Sequence, residues 1–279
     1  MFVLRRAQMN VFHISAFVLL MLTQLFTTGC SEAQQKAQAL AKGQGAMLFT
    51  ANGEDFVRKG FADKSGWHIV FDTLLVNIVN PIAYMPGCSV HVCTLSGSHV
   101  VDLARGDEYA APAPVAVKNS LEAGNYQSLK FNLRRVASGP FAGSSIIMIG
   151  TAAKGEKKVP FTIKLDEEID FDGKEGYVGD EIMGMVNAGD TATVEMTFHF
   201  DHIFGDNEAP ADDHITTESV GFDFFYAHTE NDTVKLSQAD LRETEDYSKL
   251  VKAIWTLGHL GEGHCEATNQ SSKDVINAL

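Results

Sequence analysis

From Trp67 onward, short runs of apolar and β-branched residues alternate with Gly, Pro and Asn at near-regular spacing. Runs of this length and composition predict strands at 67–71, 74–84, 90–95, 99–103, 115–117, 127–133, 145–151, 159–165 and 191–200. No helical crossover separates them, so a parallel α/β sheet is disfavoured and a mainly β chain, an antiparallel β-sandwich, is expected. Two turns stand out. Ala153-Lys154-Gly155-Glu156 should close a hairpin into the alternating run 159–165, and Asn187-Ala188-Gly189-Asp190 should lead into 191–200. In that last run Val194, Met196, Phe198 and Phe200 point one way, and Glu195, Thr197, His199 and Asp201 the other, giving a core face and a polar face.

Helical patterning is expected only near the C-terminus, as a short pair packed on the sheet. Ser237 with Asp240 three residues on forms a shortened capping box, and Asp246 can cap a second helix whose Leu250, Val251, Ile254, Trp255 and Leu257 make an apolar stripe ending at Gly258.

The N-terminus follows a different pattern. Arg5 and Arg6 precede the apolar run 14–26, and Thr27-Thr28-Gly29-Cys30 follows. A charged segment, a short apolar stretch and small residues before one cysteine make the layout of a bacterial lipoprotein signal. The usual Leu three residues before the cysteine is replaced by Thr27, which leaves an ordinary cleaved signal or an uncleaved anchor over 11–29 as alternatives. The expected organisation is a signal peptide at 1–29, a lipidated tether at 30–45 beginning with Cys30, and one domain at 46–279. Ser31, where inner-membrane-retained lipoproteins have Asp, favours the outer membrane of the cell envelope.

The formal net charge is −14, and removal of the two signal arginines makes it more negative. Such a surface argues against nucleic acid as a partner and favours cations, metal ions included, although for the charge alone plain solubility is the better explanation. Three cysteines remain beyond Cys30. Cys88 and Cys93 can bridge across a turn, or one of them can pair with Cys265 if 88–93 is a continuous strand, in which case Cys93 with His91 offers a metal-site alternative.

Val101-Asp102-Leu103, then Leu121-Glu122-Ala123-Gly124-Asn125-Tyr126 and a strand, resembles a bacterial lipoprotein family built on a transthyretin-like or carbohydrate-binding-like β-sandwich. The likeness covers roughly 67–165 and implies that fold and an envelope location, without a specific activity. The segment 198–206 is similar to stretches of other lipoproteins and carries no function with it.

Donor chemistry is concentrated in the last third of the chain. Six of the ten histidines lie between His199 and His264, interleaved with acids. His199, Asp201, His202, Asp206, His214, His259 and His264 are the candidate metal ligands, because neutral imidazole suits zinc or copper and a carboxylate can bind or orient. The oxygen-rich loop 205–213 offers calcium as an alternative without the EF-hand spacing, and hydrogen-bonded structural histidines are a third reading. No nucleophile elbow, HExxH, phosphate loop, dinucleotide fingerprint or haem motif is present, so no catalytic residue is assigned. The expectation is a membrane-tethered, non-catalytic sandwich that binds a divalent transition metal for uptake or delivery to a transport or envelope partner. The alternatives are a glycan- or protein-binding module and a metal-dependent hydrolase.

Overall fold

The computed structural model describes residues 43–85, 87, 92–177, 183–229 and 231–269. The signal segment, Cys30, Cys88 and His91 lie outside the described residues. In chain order the strands are β1 (Gln44–Asn52), β2 (Phe61–Ala62), β3 (His68–Tyr84), β4 (Val92–Thr94), β5 (Ser98–Asp102), β6 (Ala113–Glu122), β7 (Gly124–Asn125), β8 (Ser128–Leu133) and β9 (Ile146–Lys154). They continue as β10 (Lys157–Leu165), β11 (Ile169–Asp172), β12 (Met185–Val186), β13 (Thr191–Phe198), β14 (Val234–Ser237), β15 (Gly258–Leu260), β16 (Gly263–His264) and β17 (Glu266–Thr268). The helices are α1 (Glu54–Lys59), α2 (Asp201–Phe204), α3 (His214–Glu218), α4 (Phe222–Tyr226), α5 (Gln238–Leu241) and α6 (Tyr247–Trp255).

The chain is mostly β, with two main sheets. The larger runs β14-β10-β9-β3-β8-β11-β17, with β2, β4 and β5 also pairing with β3, and the smaller runs β16-β15-β13-β1-β6. Their inner faces meet through aromatic rings. Phe131 of β8 packs on Phe171 of β11 and edge-on to Phe198 of β13, with ring centroids 5.1 and 5.5 Å apart. All three are essentially inaccessible to water, and close-packed rings of this kind supply much of a sandwich core.

The hairpin at Gly155, which has φ 63°, joins β9 to β10 as the sequence suggests. The runs 67–71 and 74–84 fuse into the single strand β3. Its pairing shifts register between Phe71 and Thr73 and again between Val79 and Ile82, so bulges bend the strand where a break was expected. Two pairings are parallel, β1 with β13 and β10 with β14. Each joins segments far apart in sequence, so the antiparallel expectation holds for most ladders and fails at these two.

The C-terminal helical pair is present. Ser237 and Asp240 form the capping box of α5, whereas Asp246 precedes α6 without a side-chain cap. Helix is not confined to that end, however, because α1 to α4 are short turns of helix in loops too brief to show a 3.6-residue period. Cys93 and Cys265 are buried free thiols, and burial pushes them up to about 11 and about 12 respectively. Cys265 is therefore not stapled to the sheet, and the partner expected for Cys93 lies outside the described residues.

Candidate metal centre

The site grows out of the parallel pairing of β1 with β13. Register partners in a parallel ladder share a face, and here Phe49 pairs with Val194 and Ala51 with Met196 on the core side. Thr50 pairs with Glu195 and Asn52 with Thr197 on the opposite side. Continuing by two residues brings Glu54 beside His199. The face expected to be polar is polar but covered: Glu195 and Thr197 are buried, with Thr50 Oγ1 donating to Val194 O and Asn52 Nδ2 to Glu195 Oε1.

Three further elements close over this layer. β15 pairs antiparallel with β13, setting His259 opposite Thr197, and β16 sets His264 opposite His259. After β13 the chain turns into α2. His199 N donates to Leu257 O, and His202, on α2, packs against the end of α6.

The imidazoles of His199, His202 and His259 converge, each offering one ligand atom, all within 4.8 Å of one another. Among the described residues this is the set of three such donors close enough for one ion. His199 and His259 are stacked, with centroids 3.8 Å apart and planes at 3°, and the His264 ring lies 4.1 Å from that of His259.

Thr256 determines which nitrogens are free. Its hydroxyl donates to Ala253 O at 3.0 Å, so Oγ1 can only accept from His202 Nδ1, 2.8 Å away. His202 is then protonated on Nδ1, and Nε2 keeps the lone pair. His259 Nε2 lies 3.1 Å from Thr256 O and must donate to it, which leaves its Nδ1 as the lone-pair nitrogen. His259 Nδ1 and His199 Nε2 are both buried without a hydrogen-bond partner, as is Asp201 Oδ1. Buried lone pairs left unsatisfied are costly, and imidazoles oriented from behind by a carbonyl and a hydroxyl are what metal ligation requires.

Electrostatics keep the imidazoles neutral. Burial, followed by the neighbouring histidines, pushes His259 down to about 2, and burial followed by His264 and His214 pushes His202 down to about 4. His199 is lowered by burial against the opposing pull of Asp201. The carboxylates move the other way: burial raises Asp201, and burial with Asp201, Glu262 and other acids nearby raises Glu54 to about 7. Glu54 Oε1 lies 3.4 Å from His199 Nε2, which would be an ion pair only with a protonated imidazole. Burial disfavours that form, and with Glu54 raised to about 7 the contact is a close approach of a neutral imidazole to a carboxyl group, not an ion pair.

The remaining candidates fall around this centre. Asp201 opens α2 beside His199. His264, exposed at its rim, joins His202 and His214 in lining a cleft with Glu218 and Lys252. His214 stands out from the triad, largely exposed, 3.2 Å from Asp213. Asp206 faces a different cleft, with Asp201, Glu208 and Phe56. Its Oδ1 accepts from Glu208 N, and Asp213 Oδ1 caps α3 through Ile215 N, so the loop acids serve local backbone donors instead of converging on calcium.

Glu54 and Thr256 were not singled out in the sequence. Thr256 is masked as the ordinary end of a helix, and Glu54 reaches His199 only through a parallel pairing across more than half the chain. No family model, no curated protein and no solved structure matches the chain, so the reading of this centre rests on its own geometry.

Proposed function

We propose that this chain is an envelope lipoprotein, anchored through lipid on Cys30, that binds a divalent transition metal through His199, His202 and His259 and passes it to a transport or envelope partner. The observation that carries the reading is the pair of buried, unpartnered nitrogens, His199 Nε2 and His259 Nδ1, beside His202 in a cluster held neutral. Among the described residues His99 Nε2 is also buried without a partner, but His99 joins no group of donors close enough for one ion, whereas His199 and His259 do. Zinc or copper suits three imidazoles better than calcium, which takes six to eight oxygens.

The test is metal content and titration calorimetry on the full chain in detergent, stripped and then reloaded. We expect about one zinc or copper per chain, with binding abolished in His199→Ala while circular dichroism stays native, since three-ligand sites depend on every ligand. Absence of binding in the wild type would leave the histidines structural and favour a glycan- or protein-binding module.

A further inference from the structure

We propose that Glu54 is the fourth, anionic ligand of this centre, held in place by a strained backbone, and that it selects a divalent ion over a cuprous one. The inference rests on the metal-binding reading above. Glu54 has φ 65°, in the left-handed region that a long side chain enters at a cost, yet it follows Gly53, which could have taken the turn. Strain of this kind persists where the surroundings impose it. Asn52 imposes it here, with Oδ1 accepting from Glu54 N at 2.9 Å and from Arg58 at 3.0 Å, while its amide is tied to Glu195.

The effect is to direct a carboxylate into the histidine layer. Two donors on one tetrahedral zinc with bonds of 2.0–2.1 Å stand roughly 3.3 Å apart. Glu54 Oε1 and His199 Nε2 stand at 3.4 Å, the length of such an edge, and the nitrogen has no hydrogen-bond partner; the carboxylate is not within 4.8 Å of all three imidazole donors, so it completes the ligand set by rotating toward His202 and His259 on loading. Asp201 and Glu262 also lie near enough to act on Glu54. Three neutral imidazoles alone would serve Cu(I) as well as Zn(II), whereas an added carboxylate is hard and anionic and gains more from the doubly charged ion.

Two substitutions in the full chain separate ligand from structural roles. Glu54→Gln keeps shape and removes charge, and should weaken zinc binding by about 100-fold while changing Cu(I) binding by less than about 5-fold. Glu54→Gly relieves the backbone and removes a buried acid, and should raise the melting temperature of the metal-free protein while weakening zinc as much. Binding weakened together with a raised melting temperature is the signature of a strained ligand. Unchanged zinc affinity in both variants, with binding intact in the wild type, overturns the assignment of Glu54 and leaves the three-histidine site standing. Equal losses of Zn(II) and Cu(I) overturn the selectivity, and failure of the wild type to bind either ion overturns the site itself.

Discussion

Thr256 holds two ligands at once: its hydroxyl oxygen accepts from His202 Nδ1 at 2.8 Å while its carbonyl accepts from His259 Nε2 at 3.1 Å. One residue at the end of α6 thus sets the tautomers of both imidazoles. Thr256→Val keeps the shape and the carbonyl but frees His202 to rotate and to change tautomer. Loss of such an orienting partner costs about 10- to 100-fold in metal affinity. Calorimetry with zinc should show a loss in that range with the fold intact, and an unchanged affinity would mean that Thr256 does not orient the site.

His259 and His264 face each other across a two-stranded ladder but differ in burial, with His259 2 % exposed and His264 at the rim. Replacement of His259 by Ala should abolish zinc binding. His264→Ala should reduce affinity by less than about 10-fold, because an exposed group outside the triad adds little to a closed ligand set. Reversal of this order would place the ion in the outer cleft beside His214 and Glu218.

Gly258 does more than end a helix. A Cβ there would stand 2.5 Å from Phe171 Cδ1 and 2.6 Å from Cγ, in a ring that is 1 % exposed and packed at a tilt against Phe131. Gly258→Ala should therefore destabilise by about 1–3 kcal/mol through overpacking, and Phe171→Leu in the same chain should recover part of the loss. Additive effects in urea unfolding of the double variant would show that the ring is not what excludes the methyl group.

Much of the fold was legible because strand alternation is local. The 159–165 run, the turn at Gly155 and the capping box at Ser237 each depend on residues within a few positions of one another. The site was half legible for the same reason. The 191–200 run drew attention to His199 and Asp201, and the glycine-rich surroundings to His259 and His264, but β13 ends at Phe198 and Asp201 opens α2, and the pairing of β1 with β13 spans most of the chain and leaves no periodic trace in either segment. That pairing brings Glu54 to His199 and buries the polar face at Glu195 and Thr197. Gly258 misled by being an adequate helix terminator: α6 ends at Trp255, with Thr256 as its cap, and Gly258 instead opens β15 where Phe171 leaves no room for a side chain.

Opposed titrations give the metal-free centre a pH signature. His202 falls from an ordinary value of 6.5 to about 4, so between those values the unfolded chain binds more protons than the folded one. Its contribution to stability is fully present above pH 6.5 and is lost as pH falls toward 4. Glu54 is raised from 4.5 to about 7, and its contribution is fully present below pH 4.5 and is lost as pH rises through 7. The two oppose each other over pH 4.5–6.5. In His202→Asn, whose amide can keep the bond to Thr256, the acid-side loss should shrink by on the order of 2 kcal/mol between pH 6.5 and pH 4. In Glu54→Gln the fall in stability on raising pH through 7 should disappear. Urea unfolding of the metal-free wild type and both variants across pH 4–8 measures these slopes, and a His202→Asn profile parallel to the wild type would mean that His202 is protonated in the folded chain as readily as in the unfolded one.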